Sequence, residues 1–173
     1  MSLSAKSSSS FREAISKKII PSEGLASFAA KVKKGNKILV TLNGSFDLLH
    51  PGHFEMIHEA SCQGDLLLIL LNSDASIKAY KSPHRPIRPL EERLLQIAVL
   101  ERVDFVSWFE ETDPCRVLAE VQPDVHVNGN EYGEECIEAD VVREGGGRLH
   151  IVSLIEGFST TNLIKKIQSL PCD

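Results

Sequence analysis

The chain has 173 residues, of which 42% are hydrophobic and 25% are charged. That length fits one domain with a single core, and that composition excludes disorder as the dominant state. The net charge of −5 argues against a nucleic-acid partner and against an anionic-membrane surface, because both need clustered positive charge.

Composition also sets the expected domain limits and the compartment. Residues 1–18 are predicted to form a flexible, Ser-rich tail, and residues 19–170 the folded domain. The Ser-rich start has no apolar core and is not typical of a secretory signal, and no apolar run reaches the ~20 residues of a membrane-spanning helix. The four cysteines include no C-x-x-C pair, which indicates reduced thiols. We therefore expect a cytoplasmic protein.

Short apolar runs alternate with segments of helical periodicity, which indicates a parallel sheet with right-handed crossovers. We predict a single-domain α/β fold: a Rossmann-like five-stranded parallel sheet flanked by helices, with ligands beyond the carboxyl ends of the strands. In chain order the predicted elements are a helix at 22–34, a strand at 37–42, a helix at 52–62, a strand at 66–71, a loop at 78–89, a helix from Leu90, a strand at 103–108, a helix at 113–121, a strand at 125–127, a helix at 134–144, a strand at 149–154 and a helix at 159–170.

The segment 43–53, after the first predicted strand, carries the strongest functional signal. His50 and His53 are three residues apart at a helix start, so their rings share one face. Gly44 allows a sharp turn, and Gly52 leaves room for a bulky group to approach the backbone. The helix N-terminus adds free N–H groups and a partial positive charge. The pattern predicts a phosphate cavity with two imidazole donors at its rim.

Such a cavity suits nucleotidyl transfer, in which catalysis is mainly positioning and charge stabilisation. Histidines with pKa values of about 6.5 can donate hydrogen bonds and carry charge near neutrality. Two histidines at this spacing could instead bind a metal, but no third ligand is visible in the sequence, so no protein metal site is predicted. The sequence leaves two roles open for Asp47, that of a Mg²⁺ ligand and that of a backbone cap.

A second candidate phosphate site lies at the start of the last predicted helix, in the segment 157–162. Ser159 is a natural N-cap, and Ser or Thr hydroxyls with the first N–H groups can hold anionic oxygens. Most clusters of this kind are only caps, so the signal depends on pairing with the histidine loop at the same edge of the sheet.

Two motifs, His50-Pro51-Gly52-His53 and Ser159-Thr160-Thr161, resemble those of the cytidylyltransferase-like nucleotidyltransferase superfamily. The segments 43–47, 73–78, 85–93 and 159–167 resemble in particular the nucleotidyltransferase domains of ADP-heptose synthases, and the resemblance covers about residues 19–168. It implies transfer of an adenylyl group from ATP to heptose 1-phosphate, with Mg²⁺ bound through the nucleotide phosphates. It also implies a place in lipopolysaccharide core synthesis and a sugar kinase on a separate chain.

The resemblance further implies roles for individual residues. Catalytic roles fall on His50, His53 and Lys81. Nucleotide binding falls on Gly44, Ser45, Phe46, Gly52, Asn128, Gly129, Gly157, Ser159, Thr160 and Thr161. Contacts to the substrate phosphate fall on Lys78, Arg85 and Arg93. Parallel-sheet enzymes of this size often pair, so a homodimer is one expectation.

The chain departs from this family after the fourth predicted strand. The family has a Val-Lys-Gly-Gly-Asp-Tyr-like sequence, where this chain has Asn128 in place of the Lys. Two alternatives stay open: a cytidylyltransferase acting on glycerol 3-phosphate or a similar alcohol phosphate, and a nucleotide-binding regulator without catalysis. The stretch 154–156 lacks the Arg that glycerol-3-phosphate cytidylyltransferases place before the second motif, which favours the adenylyl reaction.

Overall fold

A computed structural model of the chain describes residues 11–130, 133, 135–153 and 157–171. Within these residues five strands form one parallel sheet. The strands are β1 (Leu39–Gly44), β2 (Leu66–Asn72), β3 (Phe105–Phe109), β4 (Val125–Gly129) and β5 (Arg148–Val152). Their order in the sheet is β3-β2-β1-β4-β5. The predicted Rossmann-like α/β fold is confirmed.

Helices cover both faces of the sheet, which explains the continuous apolar runs of its strands. Along β2, Leu67 and Ile69 belong to the hydrophobic cluster on one face, whereas Leu68 and Leu70 belong to the cluster on the other. The helices are α1 (Phe11–Ser16), α2 (Leu25–Lys34), α3 (Pro51–Ser61), α4 (Asp74–Tyr80), α5 (Leu90–Ala98), α6 (Cys115–Val121), α7 (Ala139–Glu144) and α8 (Thr160–Gln168), with a short 3₁₀ turn at Ser22–Gly24.

The predicted flexible tail at 1–18 is wrong for its second half. Residues 11–16 form α1, and Ile15 is buried in the main core cluster. Lys18 Nζ donates to the carbonyl oxygens of Leu100, at 3.2 Å, and Val103, at 2.6 Å. These contacts order the segment because an apolar side chain and a paired ammonium both lie against the domain. Residues 1–10 are outside the described part of the chain.

Helix α4 replaces the start of the predicted loop at 78–89. Ser73 caps this helix, since its Oγ accepts a hydrogen bond from the backbone N–H of Ser76 at 3.1 Å. The helix runs to Tyr80, so Lys78 is helical and only the remainder of the segment is a loop. Seven residues are too few to show a helical period in the sequence.

The strand order reverses beside β1, which places a crevice at the carboxyl end of the sheet. Leu42 of β1 pairs with Ile69 on one side and with Val127 on the other. The segments that follow β1, β2 and β4 therefore meet at one edge. No helix in the described ranges has the length and apolar character needed to cross a membrane. Cys62, Cys115 and Cys136 are free thiols, and Cys172 is outside the described residues.

Candidate active site

The two histidines of the predicted phosphate loop are held against each other at the start of α3. His50 is the N-cap residue, and its backbone N–H donates to Nδ1 of His53 at 3.3 Å. Because Nδ1 accepts this bond, the proton of a neutral His53 ring belongs on Nε2. The two rings stack with their centroids 3.8 Å apart. Nε2 of His53 is therefore the ring atom that can donate to a ligand.

Burial changes the charge that these rings carry in the free protein. The pKa of His53 is lowered to about 4, first by desolvation and then by the positive charges of His50 and Lys81. Burial also lowers the pKa of His50. The expectation that both rings carry charge near neutrality is therefore wrong for His53 in the absence of a ligand. It is a neutral hydrogen-bond donor at pH 7.

Two glycines are required by the side chains around them. A Cβ on Gly52 would lie 3.2 Å from Nδ1 of His50, and a Cβ on Gly44 would lie 3.1 Å from Cε2 of Phe46. The left-handed residue of this turn is Phe46, with a φ of 43°, and not Gly44. A non-glycine residue in that region costs on the order of 1 kcal/mol, and such residues cluster at functional sites. Here the buried ring of Phe46 holds the turn in place, 5.2 Å from the ring of His53.

Asp47 is a backbone cap, which decides between the two roles left open for it. Its carboxylate is fully buried and accepts hydrogen bonds from the backbone N–H groups of Ile87, at 2.9 Å, and Arg88, at 2.9 Å. Arg85 Nε donates to the same carboxylate at 2.7 Å. These bonds tie the loop before α5 to the histidine loop. They also aim Arg85, a predicted phosphate contact, toward the first cavity described below.

Arg93 has a different role from the predicted phosphate contact. Its side chain is 0% exposed, and Nη1 donates to the carbonyl oxygens of Ser45 and Asn72, both at 2.8 Å. Nη2 donates to Asp74 Oδ1 at 2.6 Å, and Nε donates to the carbonyl oxygen of Arg88. All three guanidinium nitrogens are therefore engaged within the protein. Arg93 joins the segments that follow β1 and β2 and does not face a ligand.

The two lysines predicted to contact phosphate, Lys78 and Lys81, occupy different surroundings in the structure. Lys81 Nζ donates to Ser45 Oγ at 2.9 Å, beside the histidine loop. Its pKa is lowered, first by desolvation and then by the neighbouring Arg85, while Asp47 acts in the opposite direction. Lys78 is exposed on α4 and lines neither cavity described below. The phosphate contact at Lys78 therefore stays a prediction, with no support from either lining.

The first cavity, of about 550 Å³, joins the two predicted phosphate motifs. Ser159 caps α8, with its Oγ accepting from the N–H of Asn162 at 3.0 Å, and Thr160 Oγ1 donates to the carbonyl oxygen of Leu48 at 3.4 Å. The described lining contains no carboxylate. It comprises the predicted residues His50, Gly52, His53, Lys81, Arg85, Ser159, Thr160 and Thr161, with Met56, Ser82 and Phe158.

The second cavity, of about 390 Å³, lies over the ends of β1, β2 and β4 and shares His53, Met56 and Lys81 with the first. Asn128 lines it, and Asn128 Nδ2 donates to Glu138 Oε2 at 3.3 Å. Its lining comprises the predicted residues Gly44, Ser45, Phe46, His53, Lys81 and Asn128, with Asn43, Met56, Asn72, Tyr80, Thr112, Asp113, Pro114, Ile137 and Glu138.

Two predicted glycines contribute to the backbone and not to either lining. Gly129 is buried at the end of β4, and Gly157, with a φ of 89°, lies two residues before the N-cap of α8. The stretch 154–156, whose lack of an Arg favours ATP over CTP, is outside the described residues. No cluster of three His, Cys, Asp or Glu side chains suited to a metal ion occurs in the part of the chain that the structure describes.

Comparison with known proteins places this geometry in a family. The family described as cytidylyltransferase-like matches residues 41–166, more than half of the chain. The chain belongs to the cytidylyltransferase-like family. The matched span contains both phosphate motifs and every described residue that lines the two cavities. The chain is therefore a nucleotidyltransferase.

Curated relatives within this family are longer proteins. The bifunctional protein HldE of Shigella sonnei is 45% identical over 141 residues, which cover 81% of this chain and 29% of the relative. The protein of the same name from Azotobacter vinelandii is 42% identical over 139 residues, covering 80% of this chain and 29% of the relative. The chain thus spans less than a third of the length of these relatives.

Solved structures agree with the fold. A lipopolysaccharide core biosynthesis protein from Thermoplasma volcanium is 28% identical, with a TM-score of 0.55, over 69% of this chain and 97% of that chain. A pantoate-beta-alanine ligase from Francisella tularensis has a TM-score of 0.58 over 87% of this chain and 76% of that chain. At 11% identity the second likeness shows the fold alone.

Several residues of the site were missed from the sequence. Asn72 ends β2, Thr112 and Asp113 follow β3, and Glu138 precedes α7, so each lies near the end of a strand or the start of a helix. Their position after strand ends was the available signal, because ligands of open parallel sheets bind there. The sequence pattern does not show which of these loops fold back over β1.

Proposed function

We propose that the protein transfers the adenylyl group of ATP to heptose 1-phosphate, forming ADP-heptose and pyrophosphate. The observation that carries this proposal is the pair of adjoining cavities with different chemistry, which share His53 and Lys81 in their lining. The first suits a triphosphate and the second suits a polar acceptor. The reacting phosphorus would then lie between them, beside the two shared side chains.

The first cavity has the chemistry of a triphosphate site. The N-termini of α3 and α8 both adjoin it, which supplies free backbone N–H groups and partial positive charge. Lys81 and Arg85 add two cationic side chains, and Ser159, Thr160 and Thr161 add hydroxyl groups. With no carboxylate among its described lining residues, this cavity favours a strongly anionic ligand.

The second cavity suits an acceptor with one anionic end. Lys81 lines the side that it shares with the first cavity, while the amides of Asn43, Asn72 and Asn128 and the carboxylate of Glu138 line the remainder. Amides and carboxylates recognise hydroxyl groups through hydrogen bonds. A sugar 1-phosphate fits both parts of this lining. Its phosphate would lie at Lys81, and its hydroxyl groups would lie against the amides and the carboxylate.

The transfer step needs little covalent chemistry from the protein. A phosphate oxygen of the acceptor attacks the α-phosphorus of ATP and forms a new P–O bond. The bond from that phosphorus to the oxygen bridging the β-phosphate breaks, and pyrophosphate leaves with the electron pair. Nε2–H of His53 would donate to the α-phosphate oxygens as charge develops on them, and Lys81 would neutralise the same group.

Magnesium is the proposed cofactor, bound by the phosphates of the nucleotide. The described residues include no carboxylate cluster for the ion, in agreement with an ion that arrives with its nucleotide. Its contribution when bound is to neutralise charge on the phosphates. Asp47 is excluded as a ligand by its hydrogen bonds to Arg85 and to the backbone of residues 87 and 88.

The choice of a sugar acceptor also rests on similarity. One neighbour of known structure, at 28% identity, is a lipopolysaccharide core biosynthesis protein. The segments 73–78 and 85–93 resemble ADP-heptose synthases in particular. The first covers the N-cap and the start of α4, and the second covers the loop held by Asp47 and the start of α5. We place the reaction in the cytoplasm, downstream of a sugar kinase activity that supplies the phosphorylated acceptor.

The proposal is tested by Mg²⁺-dependent pyrophosphate release with ATP or CTP, each combined with heptose 1-phosphate or glycerol 3-phosphate. We expect turnover with ATP and heptose 1-phosphate, at a rate at least about 10²-fold above the His53→Ala variant. Turnover confined to CTP and glycerol 3-phosphate would instead establish the cytidylyltransferase. Tight ATP binding without turnover of any pair would identify a regulator, and either result would refute the proposal.

A further inference from the structure

We infer that the Asn128–Glu138 pair makes the far end of the second cavity selective for uncharged hydroxyl groups, so that the acceptor carries its only anionic group at the Lys81 end. This inference rests on the proposed function, because it assigns the acceptor to the second cavity. It goes further by naming the residues that decide which acceptors enter.

The pair is a built feature of the cavity. Asn128, at the end of β4, and Glu138, before α7, are each 5% exposed. Asn128 Nδ2 donates to Glu138 Oε2 at 3.3 Å. Both residues line the second cavity, so an amide and a carboxylate form part of its wall. Uncharged hydroxyl groups can donate to both of these acceptors.

The charge distribution of this cavity is asymmetric. Lys81 is the one Lys or Arg among the described residues that line it, and it lies on the side shared with the first cavity. Glu138 and Asp113 supply carboxylates to the same lining. An anionic substituent brought next to one of these carboxylates is opposed by like-charge repulsion, which solvent screens only in part at a half-enclosed wall. A hydroxyl group at that place gains a charge-assisted hydrogen bond instead.

The residue at position 128 determines this asymmetry. A lysine at this position would bring an ammonium group toward Glu138, whose Oε2 lies 3.3 Å from Asn128 Nδ2. It would neutralise the carboxylate and could attract an anion. Asn128 is uncharged and does not neutralise the carboxylate of Glu138. This end of the cavity therefore favours hydroxyl groups over anionic groups.

Two hexose phosphates that differ only at the far end test the inference by direct binding. Glucose 1-phosphate carries a hydroxyl group at C6, whereas glucuronic acid 1-phosphate carries a carboxylate there. Their dissociation constants are measured by calorimetry with the full chain and α,β-methylene ATP present. We expect the wild-type protein to bind glucose 1-phosphate about 10-fold more tightly than glucuronic acid 1-phosphate.

Three variants identify the cause of this preference. Glu138→Gln keeps the shape and the contact with Asn128 but removes the charge, and we expect the preference to fall to about 2-fold or less. Asn128→Lys should bind the glucuronic acid derivative more tightly than wild type does. Glu135→Gln is the matched control, because Glu135 has an 89% exposed side chain and does not line the cavity. It removes the same charge three residues away and should keep the wild-type preference.

An equal affinity of wild type for both sugars, an unchanged preference in Glu138→Gln, or binding of neither sugar would overturn the inference. An equal loss of preference in Glu135→Gln would also overturn it, by assigning the effect to net charge. The proposed function is tested separately by turnover of heptose 1-phosphate. Turnover without this preference would leave the proposed function standing, and the preference without turnover of any acceptor would refute only the proposed function.

Discussion

The backbone N–H of His50 donates to Nδ1 of His53 at 3.3 Å, and this contact assigns the proton of the neutral His53 ring to Nε2. The stacked ring of His50, 3.8 Å away, and the ring of Phe46, 5.2 Å away, fix its orientation further. A donor that is oriented before the substrate binds needs no reorganisation during the reaction. We therefore propose that His53 makes the transition-state contact and that His50 and Phe46 position its ring.

We expect His53→Ala to lower turnover at least about 10²-fold, comparable with the loss of one transition-state donor. The far-ultraviolet circular dichroism should be unchanged, because the substitution removes part of one side chain that lines the cavities and lies outside the hydrophobic core clusters. His58→Ala on the same helix is the control, since His58 is exposed and lines neither cavity. Near-normal turnover in a folded His53→Ala protein would rule out the assigned role.

Gly52→Ala separates activity from stability. The added Cβ would lie 3.2 Å from Nδ1 and 3.3 Å from Cε1 of His50, so the ring must move. We expect kcat/KM to fall about 10-fold, as for a small misplacement of a positioned group. The free energy of unfolding should stay within about 1 kcal/mol of wild type, because alanine has the higher helix propensity.

Gly24→Ala is the matched control for that change, because the nearest neighbour of its Cβ would be Ile20 Cγ2 at an ordinary 3.8 Å. It should leave kcat/KM unchanged. Full activity in Gly52→Ala would show that the position of the His50 ring does not matter to the reaction.

Asp47→Asn should destabilise the protein by about 3 kcal/mol, because it leaves Arg85 without its buried partner and replaces one acceptor oxygen by an NH₂ group. The measurement is urea unfolding at equilibrium. Glu92→Gln is the control: the Arg88–Glu92 pair is about half exposed, and such pairs contribute less than about 1 kcal/mol. If Asp47→Asn and wild type were equally stable, Asp47 would not anchor the loop before α5 to the histidine loop.

Stability should fall as the pH is lowered from about 6.5 toward 4. Burial lowers the pKa of His126 to about 4, and burial with the charges of His50 and Lys81 does the same for His53. Both pKa values lie below the ordinary 6.5, so the unfolded chain binds more protons in this window and the free energy of unfolding rises with pH. Each histidine contributes on the order of 1 kcal/mol per pH unit.

The contribution of His53 is isolated by comparing the pH slope of wild type with that of His53→Gln. The variant should lose the part of this slope that His53 contributes between pH 5 and 6.5, while the parts of His126 and His50 remain. Parallel unfolding curves for the two proteins across this window would contradict a lowered pKa of His53.

Chelation should stop the reaction without affecting the fold. We expect EDTA to abolish pyrophosphate release and to leave thermal unfolding of the nucleotide-free protein unchanged, because no metal-binding cluster is found among the described residues. Added Mg²⁺ should restore turnover. A lower melting temperature in EDTA alone would indicate a protein-held ion and would contradict a metal that arrives with the nucleotide.

The sheet and most helices could be predicted because their signals are local. The continuous apolar run of β2 and the period of α2 each follow from burial of the side chains within one element. The sequence did not predict helices α1 and α4, because six or seven residues cannot establish a helical period. Contacts with residues distant in the sequence stabilise such short helices. The hydrogen bonds of Lys18 to residues 100 and 103 are an example.

The site was predictable where a motif stays within one turn and one helix, as it does for His50, Gly52 and His53. It was not predictable where charge alone was the signal. Arg93 and Lys78 are both cations in or beside segments that resemble a family, yet one is buried against carbonyl oxygens and the other is exposed outside both cavities. That difference depends on which strand ends meet, which is a property of the sheet and not of the local sequence.

The residues shared by the two cavities, His53, Met56 and Lys81, also bear on inhibition. With ATP in one cavity and the acceptor in the other, the nucleotide-sugar product occupies parts of both and should compete with each substrate, whereas pyrophosphate should compete with ATP alone. A compound that joins an adenosine phosphate to a hydroxyl-rich group through a stable bridge at the shared residues would gain from both cavities at once. A short linker would give it a high effective concentration for the second cavity once the first is filled.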